Sequence, residues 1–545
     1  MKLHTIVAFP ENYLPGFKLT VIMDRSPYGS QRLELINNIY LPFGFITVGQ
    51  DMRGTGKSEG NFTIWHSDAN DSEDAGNWII SQPWSNGKIF TFGVSADGLA
   101  AFRTPDNQPS WLKAQYFACT SSVGYEIIYP NGAYLQALAD MWMRSTVPME
   151  ADECLGTIAE NEMKTDWWDA LALTNKYYKI NYPAAFWGGW YDIFLVGTLA
   201  AYEGYNFQSN PSVRNTAKIT IDPLGHCQDA AEYFLKDSVD GRTALSFAQS
   251  LELFGVLPVS RPNIKNITFY VMSSNDKAGL IAGQYWSTLD KWPIPVVEKW
   301  YLHADKTLSK NPPAIDEPAS TSYVHDPAYP IPTVGGNNLD LPCGPLDQME
   351  IDLRSDVITF NTAPFTSDYP MTGPLFATLF VSSDAIDTDF MVRISDIYPT
   401  GQVRLIQDNA IRMRWRDGGL EPHYMMKGEV YEVTLTLWNT SYILAAGHAL
   451  RVSIASSNYP RFDVNRNNGI LLADRNPMDV NVTATNMIFH SDKYSSFISL
   501  PSVKKTQIPP THDIMGEIQK AYPQVNIEKV IKDFPKLLEN RFARY

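Results

Sequence analysis

Cysteine is scarce in this chain of 545 residues, and the few cysteines present are not arranged as metal ligands. The four of them, Cys119, Cys154, Cys227 and Cys343, lie far apart and form no C-x-x-C pair. Protein zinc sites place their ligands at short, regular spacings, which this sequence lacks. We therefore expect no metal site, and the scattered cysteines leave the redox compartment undecided.

The chain also has fewer basic than acidic residues and lacks long apolar runs. Lys and Arg number 44 against 59 Asp and Glu, which gives a net charge of −15. A chain this acidic is poorly suited to bind the phosphate backbone of a nucleic acid or an anionic membrane surface. No apolar run approaches the ~20 residues that a bilayer-spanning helix needs. We expect neither nucleic acid nor a membrane as a partner, and the sequence leaves open whether the chain forms a homo-oligomer.

The N-terminus lacks the apolar core of a signal peptide. Its first residues, MKLHTIVAFPENY, are typical of a strand that begins almost at residue 1. As the chain stands, this predicts a cytoplasmic protein, or a secreted or lysosomal one if an upstream signal peptide is missing. The sequence does not decide between these compartments.

The first 308 residues have the pattern of an α/β domain with an insertion. Short apolar runs such as FKLTVIMD, GFITVGQD and KIFTFGVS alternate with helical stretches, which indicates βαβ units and a parallel sheet. We assign residues 1–124 and 183–308 to the two parts of this domain. Residues 125–182 have helical periodicity and many aromatics but no clear strand, which predicts a helical cap inserted between the two parts.

A proline-rich linker, KNPPAIDEPAS, follows residue 309 and predicts a domain boundary. Beyond it, runs with alternating apolar residues, such as PLFATLFVSS and ALRVSIASS, recur between turn residues, which is typical of a β-sandwich or jelly roll. We assign residues 320–502 to this all-β domain and residues 503–545 to a C-terminal tail. An apolar stripe between 527 and 542 predicts an amphipathic helix in the tail, interrupted by Pro535.

The segment GKIFTFGVSADGLAAF, residues 87–102, contains the candidate nucleophile Ser95. A strand runs into the letters GVSADG and then into a helix-like stretch, which is the order that a nucleophile elbow requires. The helix N-terminus beyond the serine offers backbone N–H groups to a developing oxyanion. The second glycine lies three residues after the serine, so the G-x-S-x-G pattern is not met. A glycine-rich turn with Ser95 as a helix N-cap is the alternative interpretation.

A serine nucleophile needs a histidine as base and a carboxylate that orients the histidine, and in α/β-hydrolases the chain order is Ser, acid, His. His226 closes AKITIDPLGH and Asp192 closes AAFWGGWYD, both at strand ends, where α/β active sites are built. Asp276 and His303 follow two later strands and obey the same order, and Asp222 is a further candidate acid. Topology alone favours Asp192 and His226 but leaves the other pair open.

Several ordered segments resemble the Xaa-Pro dipeptidyl peptidase and cocaine esterase family of serine hydrolases, which includes α-amino-acid ester hydrolases and glutaryl acylases. These segments are DRSPYG at 24–29, QDMRGTGKSEG at 50–60, WIISQPWSNGKIFTFGVSADG at 78–98, GGWYDIF at 188–194 and IDPLGHC at 221–227. DYPMTGPLFATLFVSS and GHALRVSIASSNYPRFDVN continue the likeness after the linker. The resemblance implies the fold class α/β plus all-β: an α/β-hydrolase domain with a helical cap, followed by a C-terminal jelly-roll β-sandwich.

The resemblance selects Ser95, Asp192 and His226 as the catalytic triad. It also implies that Tyr28 donates its hydroxyl to the oxyanion hole, beside the backbone N–H of Ala96. A phenol O–H aimed at the tetrahedral oxygen stabilises charge that appears only in the transition state. The family usually has tyrosine directly after the nucleophile, so Ala96 is a departure from its pattern.

The expected function is hydrolysis of ester or amide bonds in small acyl substrates through an acyl-enzyme, with no metal or organic cofactor. Trp190 and Phe194, beside the candidate acid, are expected to contact substrate, and the cap tryptophans are expected mainly to pack in the core. An Xaa-Pro dipeptidyl peptidase that releases N-terminal dipeptides is the alternative enzyme. A catalytically inert binding protein is the alternative from another class.

Overall fold

The computed structural model describes residues 1–226, 231–257, 264–274, 281–315, 319–511 and 513–523, together with positions 526, 528, 529 and 532. Asp276 and the apolar positions of the tail stripe lie outside the described residues, so the structure does not address either prediction. Within the described ranges, no helix combines the length and the apolar character needed to cross a membrane.

The first half of the chain alternates strands with helices, as the sequence predicts. Its strands are β1 (Thr5–Ala8), β2 (Leu19–Ser26), β3 (Ile46–Asp51), β4 (Ser85–Val94), β5 (Leu112–Ala118), β6 (Ala184–Tyr191), β7 (Lys218–Gly225), β8 (Ile267–Ser273) and β9 (Tyr285–Leu289). Its helices are α1 (Glu34–Tyr40), α2 (Asp68–Ser81), α3 (Ala96–Ala101), α4 (Trp142–Thr146), α5 (Ala151–Glu160), α6 (Asp166–Leu171), α7 (Leu195–Glu203) and α8 (Lys236–Leu253).

The strands of this half form one mainly parallel sheet in the order β3-β2-β4-β5-β6-β7-β8. Strands β1 and β9 pair with β3 and β8 in the antiparallel sense. Every residue of β6 is buried, because a parallel sheet covered on both faces has no solvent side. The carboxyl ends of β4, β6 and β7 meet at one edge of the sheet, which is where an active site of this fold is built.

Helices α4, α5 and α6 fill the stretch between β5 and β6, and no strand interrupts residues 119–183, all of which the structure describes. Helix α5 is amphipathic: it buries Ala151, Cys154 and Ile158, which recur at helical spacing along one face. The same apolar cluster includes Tyr28 and Ala96 from the sheet edge. The helical insertion therefore packs directly over the region of the candidate nucleophile.

The second half is dominated by strands that pair in the antiparallel sense. They are β10 (Val296–Leu302), β11 (Leu308–Ser309), β12 (Ser320–His325), β13 (Ile358–Asn361), β14 (Tyr369–Ser383), β15 (Asp389–Ile397), β16 (Val403–Arg412), β17 (Tyr431–Leu444), β18 (Ala449–Ala455), β19 (Ala484–Phe489) and β20 (Phe497–Ser502). Two short helices, α9 (Met349–Asp352) and α10 (Ile514–Ala521), accompany them.

These strands form two sheets, as expected for a β-sandwich. Strand β14 pairs with β17, β19 and β20 in one sheet, which continues through β10 to β11 and through β19 to β12. The other sheet has the order β13-β18-β15-β16. The predicted fold class, an α/β-hydrolase domain with a C-terminal β-rich domain, is confirmed.

The two halves are joined by strand pairing as well as by side-chain packing. Strand β17 pairs in parallel with β8 through the partners Tyr442–Met272 and Ile443–Ser273. Strand β10, which lies before the predicted boundary at residue 308, pairs with β20 of the β-sandwich. The domain limits read from the sequence stay predictions, and the structure describes a continuous apolar core across both halves.

Candidate active site

Ser95 lies in a sharp turn between the carboxyl end of β4 and the first residue of α3. Its backbone has φ +59° and ψ −126°, a conformation that non-glycine residues rarely adopt. Backbone strain of this kind costs about 1–3 kcal/mol and persists only where the surrounding structure holds it. Here Ser95 N–H donates to the carbonyl of Ala118 on the neighbouring strand β5, at 2.9 Å. The strained turn is the geometry that a nucleophile elbow requires.

Two glycines make this turn sterically feasible. A Cβ atom at Gly93 would lie 2.6 Å from Gly98 Cα, and one at Gly98 would lie 2.5 Å from the Thr120 side chain. Both distances are shorter than carbon and oxygen atoms tolerate without displacement, so a side chain at either position would push the strand and helix apart. The G-x-S-x-x-G spacing in this sequence is therefore explained by close backbone packing on both sides of Ser95.

The hydroxyl of Ser95 lies 2.9 Å from His226 Nε2, and His226 Nδ1 lies 3.1 Å from Asp192 Oδ2. Asp192 follows the last residue of β6, and His226 follows the last residue of β7. All three side chains are buried. The structure thus brings the three residues selected from the sequence into one connected hydrogen-bonded chain at the carboxyl edge of the sheet.

Asp192 is fully buried, and its carboxylate is held by several donors. Its Oδ1 accepts a hydrogen bond of 2.7 Å from the backbone N–H of Phe194, while Oδ2 faces His226. Burial by itself would raise the pKa of Asp192, but the charge at His226 and the hydrogen bonds to the carboxylate outweigh burial and hold the pKa below its ordinary value. The group is therefore ionised at neutral pH and able to stabilise a positively charged imidazole.

Cys119 is a further partner of Asp192 that the sequence did not suggest. Its thiol hydrogen-bonds to the Asp192 carboxylate, and burial and the nearby Asp192 charge raise the pKa of the thiol far above its ordinary value. The potential ligand atoms of Cys119, Asp192 and His226 lie within 4.8 Å of one another. A metal ion there would have to deprotonate this thiol and displace the His226–Asp192 hydrogen bond, so the geometry fits a hydrogen-bonded relay better than a metal site.

Tyr28 and Ala96 lie together in the apolar cluster beneath the cap. The Tyr28 hydroxyl accepts a hydrogen bond of 2.8 Å from Trp142 Nε1, on the first residue of α4. The indole of Trp65 donates to the Ala96 carbonyl at 3.1 Å. The cap thus fixes the phenol through Trp142, and the loop before α2 fixes the backbone beside the nucleophile.

The two predicted substrate-contacting aromatics occupy different places. Phe194 is buried with its ring 5.5 Å from the His226 imidazole, edge to face, so it does border the site. Trp190 is buried in the core, where its Nε1 donates to the carbonyl of Tyr270 on β8 at 2.7 Å and its ring faces Phe269. The structure therefore brings Phe194 to the candidate site and does not bring the Trp190 indole there.

The competing acid and histidine are engaged elsewhere. Asp222 accepts hydrogen bonds from the indole N–H of Trp187 at 2.8 Å and from the backbone N–H of Leu224 at 2.7 Å. His303 Nε2 lies 3.1 Å from Ser309 Oγ and 3.0 Å from the carbonyl of Asn311, after strand β10. Neither residue faces Ser95 in the described contacts.

A loop of the β-rich domain, residues 335–344, completes the site. Asn337 donates from its side-chain amide to the carbonyl of Asp192 at 3.0 Å. Leu339 packs against the cluster that contains Tyr28 and Ala96. Sequence reasoning missed this loop because it is more than 100 residues from any triad member, and neither its spacing nor its composition carries a recognisable signal.

Comparison with known proteins agrees with this architecture. Residues 1–154 match the sequence model of the X-Pro dipeptidyl-peptidase (S15 family), and residues 264–499 match that of the X-Pro dipeptidyl-peptidase C-terminal non-catalytic domain. Together the two matches cover well over half of the chain. The cocaine esterase of Rhodococcus sp. (strain MB1 Bresler) is 26% identical over 529 residues, which cover 85% of this chain and 89% of the esterase.

Solved structures with the same fold include an aminopeptidase from a marine sediment Thaumarchaeota archaeon, with a TM-score of 0.78 and 19% identity over 92% of this chain and 94% of that one. An α-amino acid ester hydrolase also has a TM-score of 0.78, with 20% identity over the same shares of the two chains. At these identities the likeness establishes the fold alone. From the two family matches and the likeness to the esterase over most of both chains, we conclude that the chain belongs to the X-Pro dipeptidyl-peptidase and cocaine esterase family of serine hydrolases.

Proposed function

We propose that this protein hydrolyses ester or amide bonds of small acyl substrates, with Ser95 as nucleophile, His226 as general base and acid, and Asp192 as the carboxylate that orients the imidazole. The observation that carries the proposal is the connected chain from Ser95 Oγ to His226 Nε2, 2.9 Å, and from His226 Nδ1 to Asp192, 3.1 Å. Hydrogen-bond contact between nucleophile and base, with the base held by a third group, is the signature of an activated serine.

In the first step, Ser95 Oγ attacks the substrate carbonyl carbon while its proton passes to His226 Nε2. The carbonyl carbon becomes tetrahedral, and the π electrons move onto its oxygen, which becomes the oxyanion. The imidazolium that forms is stabilised by the buried carboxylate of Asp192. The intermediate collapses as His226 returns a proton to the leaving alcohol or amine. Water, deprotonated by His226, then attacks the acyl carbonyl carbon. The bond from that carbon to Ser95 Oγ breaks, His226 returns the proton to Ser95 Oγ, and the acid is released.

The oxyanion is stabilised by the Tyr28 hydroxyl and the backbone N–H of Ala96. Tyr28 and Ala96 belong to one apolar cluster beneath the cap, and the indole N–H of Trp142 donates a hydrogen bond to the Tyr28 oxygen. Ala96 is the first residue of α3, so its N–H belongs to a helix N-terminus and points toward developing negative charge. Preorganised donors of this kind act only on the transition state.

An ester substrate is favoured by the likeness to cocaine esterase over most of both chains, and a peptide substrate by the match of residues 1–154 to the S15 peptidase family. Phe194 beside His226 gives the site an apolar, aromatic wall. We propose an esterase or acylase as the main activity and an Xaa-Pro dipeptidyl peptidase as the second candidate. Rates on a short-chain aryl ester and on Gly-Pro-anilide separate the two.

The test is labelling by a fluorophosphonate probe, measured for the wild-type protein and for Ser95→Ala. We expect the wild type to be labelled and to hydrolyse the aryl ester, and Ser95→Ala to lose labelling and about 10⁶-fold of its turnover. Equal labelling of both proteins would reject Ser95 as nucleophile. A wild type that is neither labelled nor active on either substrate would favour the inert binding protein.

A further inference from the structure

Two tryptophans contact the two residues of the proposed oxyanion hole. Trp142 donates its indole N–H to the Tyr28 hydroxyl oxygen at 2.8 Å. Trp65 donates its indole N–H to the Ala96 carbonyl at 3.1 Å. The two buried indole rings pack against each other, with centroids 5.1 Å apart and planes inclined by 32°. One aromatic pair therefore contacts both residues that supply the oxyanion donors.

Trp65 lies in a strained stretch of the loop before α2. Its φ is +61° and that of Ile64 is +49°, in the left-handed region that non-glycine residues seldom adopt, least of all a β-branched isoleucine. Such strain persists only where neighbouring contacts hold it, and it is concentrated at functional sites. Phe62 packs edge to face on Trp65, with ring centroids 5.2 Å apart. The loop thus holds the indole of Trp65 in a defined position beside Ala96.

Trp142 is placed by an unusual turn of the cap. Residues Ala137–Met141 form a π-helical turn that runs directly into α4, whose first residue is Trp142. Turns of this kind are rare and frequently lie at functional sites. The turn is anchored to the β-rich domain, because the N–H of Ala137 donates to the carbonyl of Pro460 at 3.1 Å. The Trp142 indole is therefore held by its own turn on one side and by Trp65 on the other.

The direction of the hydrogen bond from Trp142 restricts the hydroxyl group of Tyr28. A phenol O–H prefers the plane of its ring, where it points to one of two sides of the oxygen. An indole N–H donates and cannot accept, so the Tyr28 O–H cannot point at Trp142 while this bond is present. Removing the indole N–H would open that direction to the phenol O–H without changing the ring of Tyr28.

We propose that Trp142 is a positioning residue for catalysis, whose indole N–H directs the Tyr28 O–H toward the oxyanion of the substrate. The proposal rests on the function proposed above and deepens it, because it names what orients one of the two oxyanion donors. A donor that is oriented before the reaction costs no reorganisation when charge develops. The cap, which carries Trp142, therefore takes part in stabilising the transition state and does not merely cover the site.

The experiment removes the N–H group of Trp142 and keeps the ring. Trp142 is replaced by 3-benzothienylalanine, in which sulfur takes the place of the indole N–H, and separately by phenylalanine. The same benzothienyl replacement at Trp168 is the control, because the Trp168 indole donates to the Asn161 carbonyl at 2.7 Å in the same cap cluster. Each replacement is made in the wild type and in Tyr28→Phe.

The measurements are kcat and KM for phenyl butyrate, the inhibition constant of benzyl trifluoromethyl ketone, and the melting temperature. Attack of a serine oxygen on this ketone gives an adduct that carries the oxyanion, so its affinity reports on the oxyanion hole. The ratio of effects on kcat and KM separates transition-state stabilisation from substrate binding.

We expect the benzothienyl replacement at position 142 to lower kcat and ketone affinity about tenfold each and to change KM by less than about twofold, as the loss of one hydrogen bond does. Trp142→Phe should lose at least as much kcat, with a lower melting temperature. In Tyr28→Phe, the benzothienyl replacement should change kcat by less than about twofold, because no O–H remains to be oriented. The control at Trp168 should keep kcat within about twofold of wild type.

The proposal is overturned if the benzothienyl replacement at position 142 leaves kcat within about twofold of wild type, or lowers it by the same factor with and without the Tyr28 hydroxyl. These results differ from a failure of the proposed function. If a fluorophosphonate labels Ser95 and Tyr28→Phe loses about 10²–10³-fold of kcat, the site acts as proposed and only the role of Trp142 is rejected. If Tyr28→Phe retains its kcat, or the wild type is neither labelled nor active, the oxyanion assignment fails and the positioning role of Trp142 falls with it.

Discussion

Two clusters of buried polar groups in this protein show how similar chemistry can be arranged for different ends. One is the proposed catalytic chain of Ser95, His226 and Asp192. The other joins the cap to the β-rich domain: Glu162 accepts hydrogen bonds from Arg414 at 2.7 Å and 3.2 Å, and from the indole N–H of Trp415 at 2.8 Å and the backbone N–H of Leu472 at 2.7 Å.

The two clusters differ in how their charged and polar groups are paired. In the junction cluster, Arg414 also pairs with Asp387 at 2.9 Å, so buried cations and anions alternate. In the catalytic cluster, the chain of hydrogen bonds ends at the Ser95 hydroxyl, which is held in a strained turn. In the junction cluster the charged groups pair with one another, which is typical of a structural contact between domains. The catalytic cluster instead ends at a strained hydroxyl that is able to react with a substrate.

The largest effect that sharpens this comparison is expected at Asp192. Asp192→Asn keeps the size of the side chain but removes the charge that stabilises the imidazolium and selects its tautomer. We expect kcat for an aryl ester to fall by about 10⁴-fold, with little change in thermal stability. Steady-state kinetics and a melting curve check this. A loss of less than about tenfold would mean that another carboxylate orients His226.

The junction cluster should respond in the opposite way. Glu162→Gln leaves Arg414 buried without one of its two charge partners, which should lower the free energy of unfolding by about 3–5 kcal/mol. Urea denaturation followed by tryptophan fluorescence measures this change. Asp152→Asn, which breaks the exposed Arg144–Asp152 pair, is the matched control and should be nearly neutral. Equal effects of the two substitutions would contradict the structural role of the junction.

The same cluster predicts a pH dependence. Burial raises the pKa of Glu162, but the charges of Arg414 and Arg412 outweigh it and hold the pKa below its ordinary value. The stabilisation is therefore complete above the unfolded-state value of about 4.3 and is lost as the pH falls through the lower folded-state value. Stability measured against pH should decline on acidification in the wild type, and this component should be missing in Glu162→Gln.

Tyr28→Phe removes the proposed oxyanion donor and keeps the ring that packs against Trp142. We expect kcat to fall by about 10²–10³-fold with KM nearly unchanged, because the lost hydrogen bond forms only in the transition state. Aryl ester kinetics give both parameters. An unchanged kcat would mean that the Tyr28 hydroxyl does not stabilise the oxyanion and that backbone N–H groups alone do so.

The smallest effect is expected at Cys119, whose thiol supports Asp192. Cys119→Ala should lower kcat about fivefold by removing one donor, and Cys119→Ser should restore most of it. Cys154→Ala, a buried free cysteine of the cap, is the control and should leave kcat unchanged. If Ala and Ser at position 119 behave alike, Cys119 contributes only packing.

Much of the fold could be predicted because local sequence signals and tertiary contacts agree there. Apolar runs bounded by turn residues became β2, β3, β4, β6 and β7, and the polar residues directly after three of these strands meet at one edge. Parallel strands bring their carboxyl ends together whatever the sequence separation. That rule favoured Asp192 and His226 as partners of Ser95 before any coordinates, and the family resemblance then selected them over Asp276 and His303.

The other features of the site depend on tertiary packing, which has no recognisable signal in the local sequence. Trp190 was expected at the site because it lies near Asp192 in the sequence, but its indole lies in the core, where it donates to the carbonyl of Tyr270 on β8. Asn337 comes from a loop of the other domain, so only the docking of the two halves brings it to the site. In the sequence Cys119 is one of four scattered cysteines, and only the fold shows that it lies beside Asp192.

The central claim is that the hydroxyl of Ser95 becomes covalently acylated during turnover. The most direct measurement is rapid acid quenching of the reaction with an aryl butyrate, followed by tryptic digestion and mass spectrometry. We predict a butyryl mass increase on the peptide spanning residues 89–103, localised to Ser95 and missing in His226→Gln. Turnover with the acyl group on another residue, or with no acylated peptide at any quench time, would contradict the mechanism.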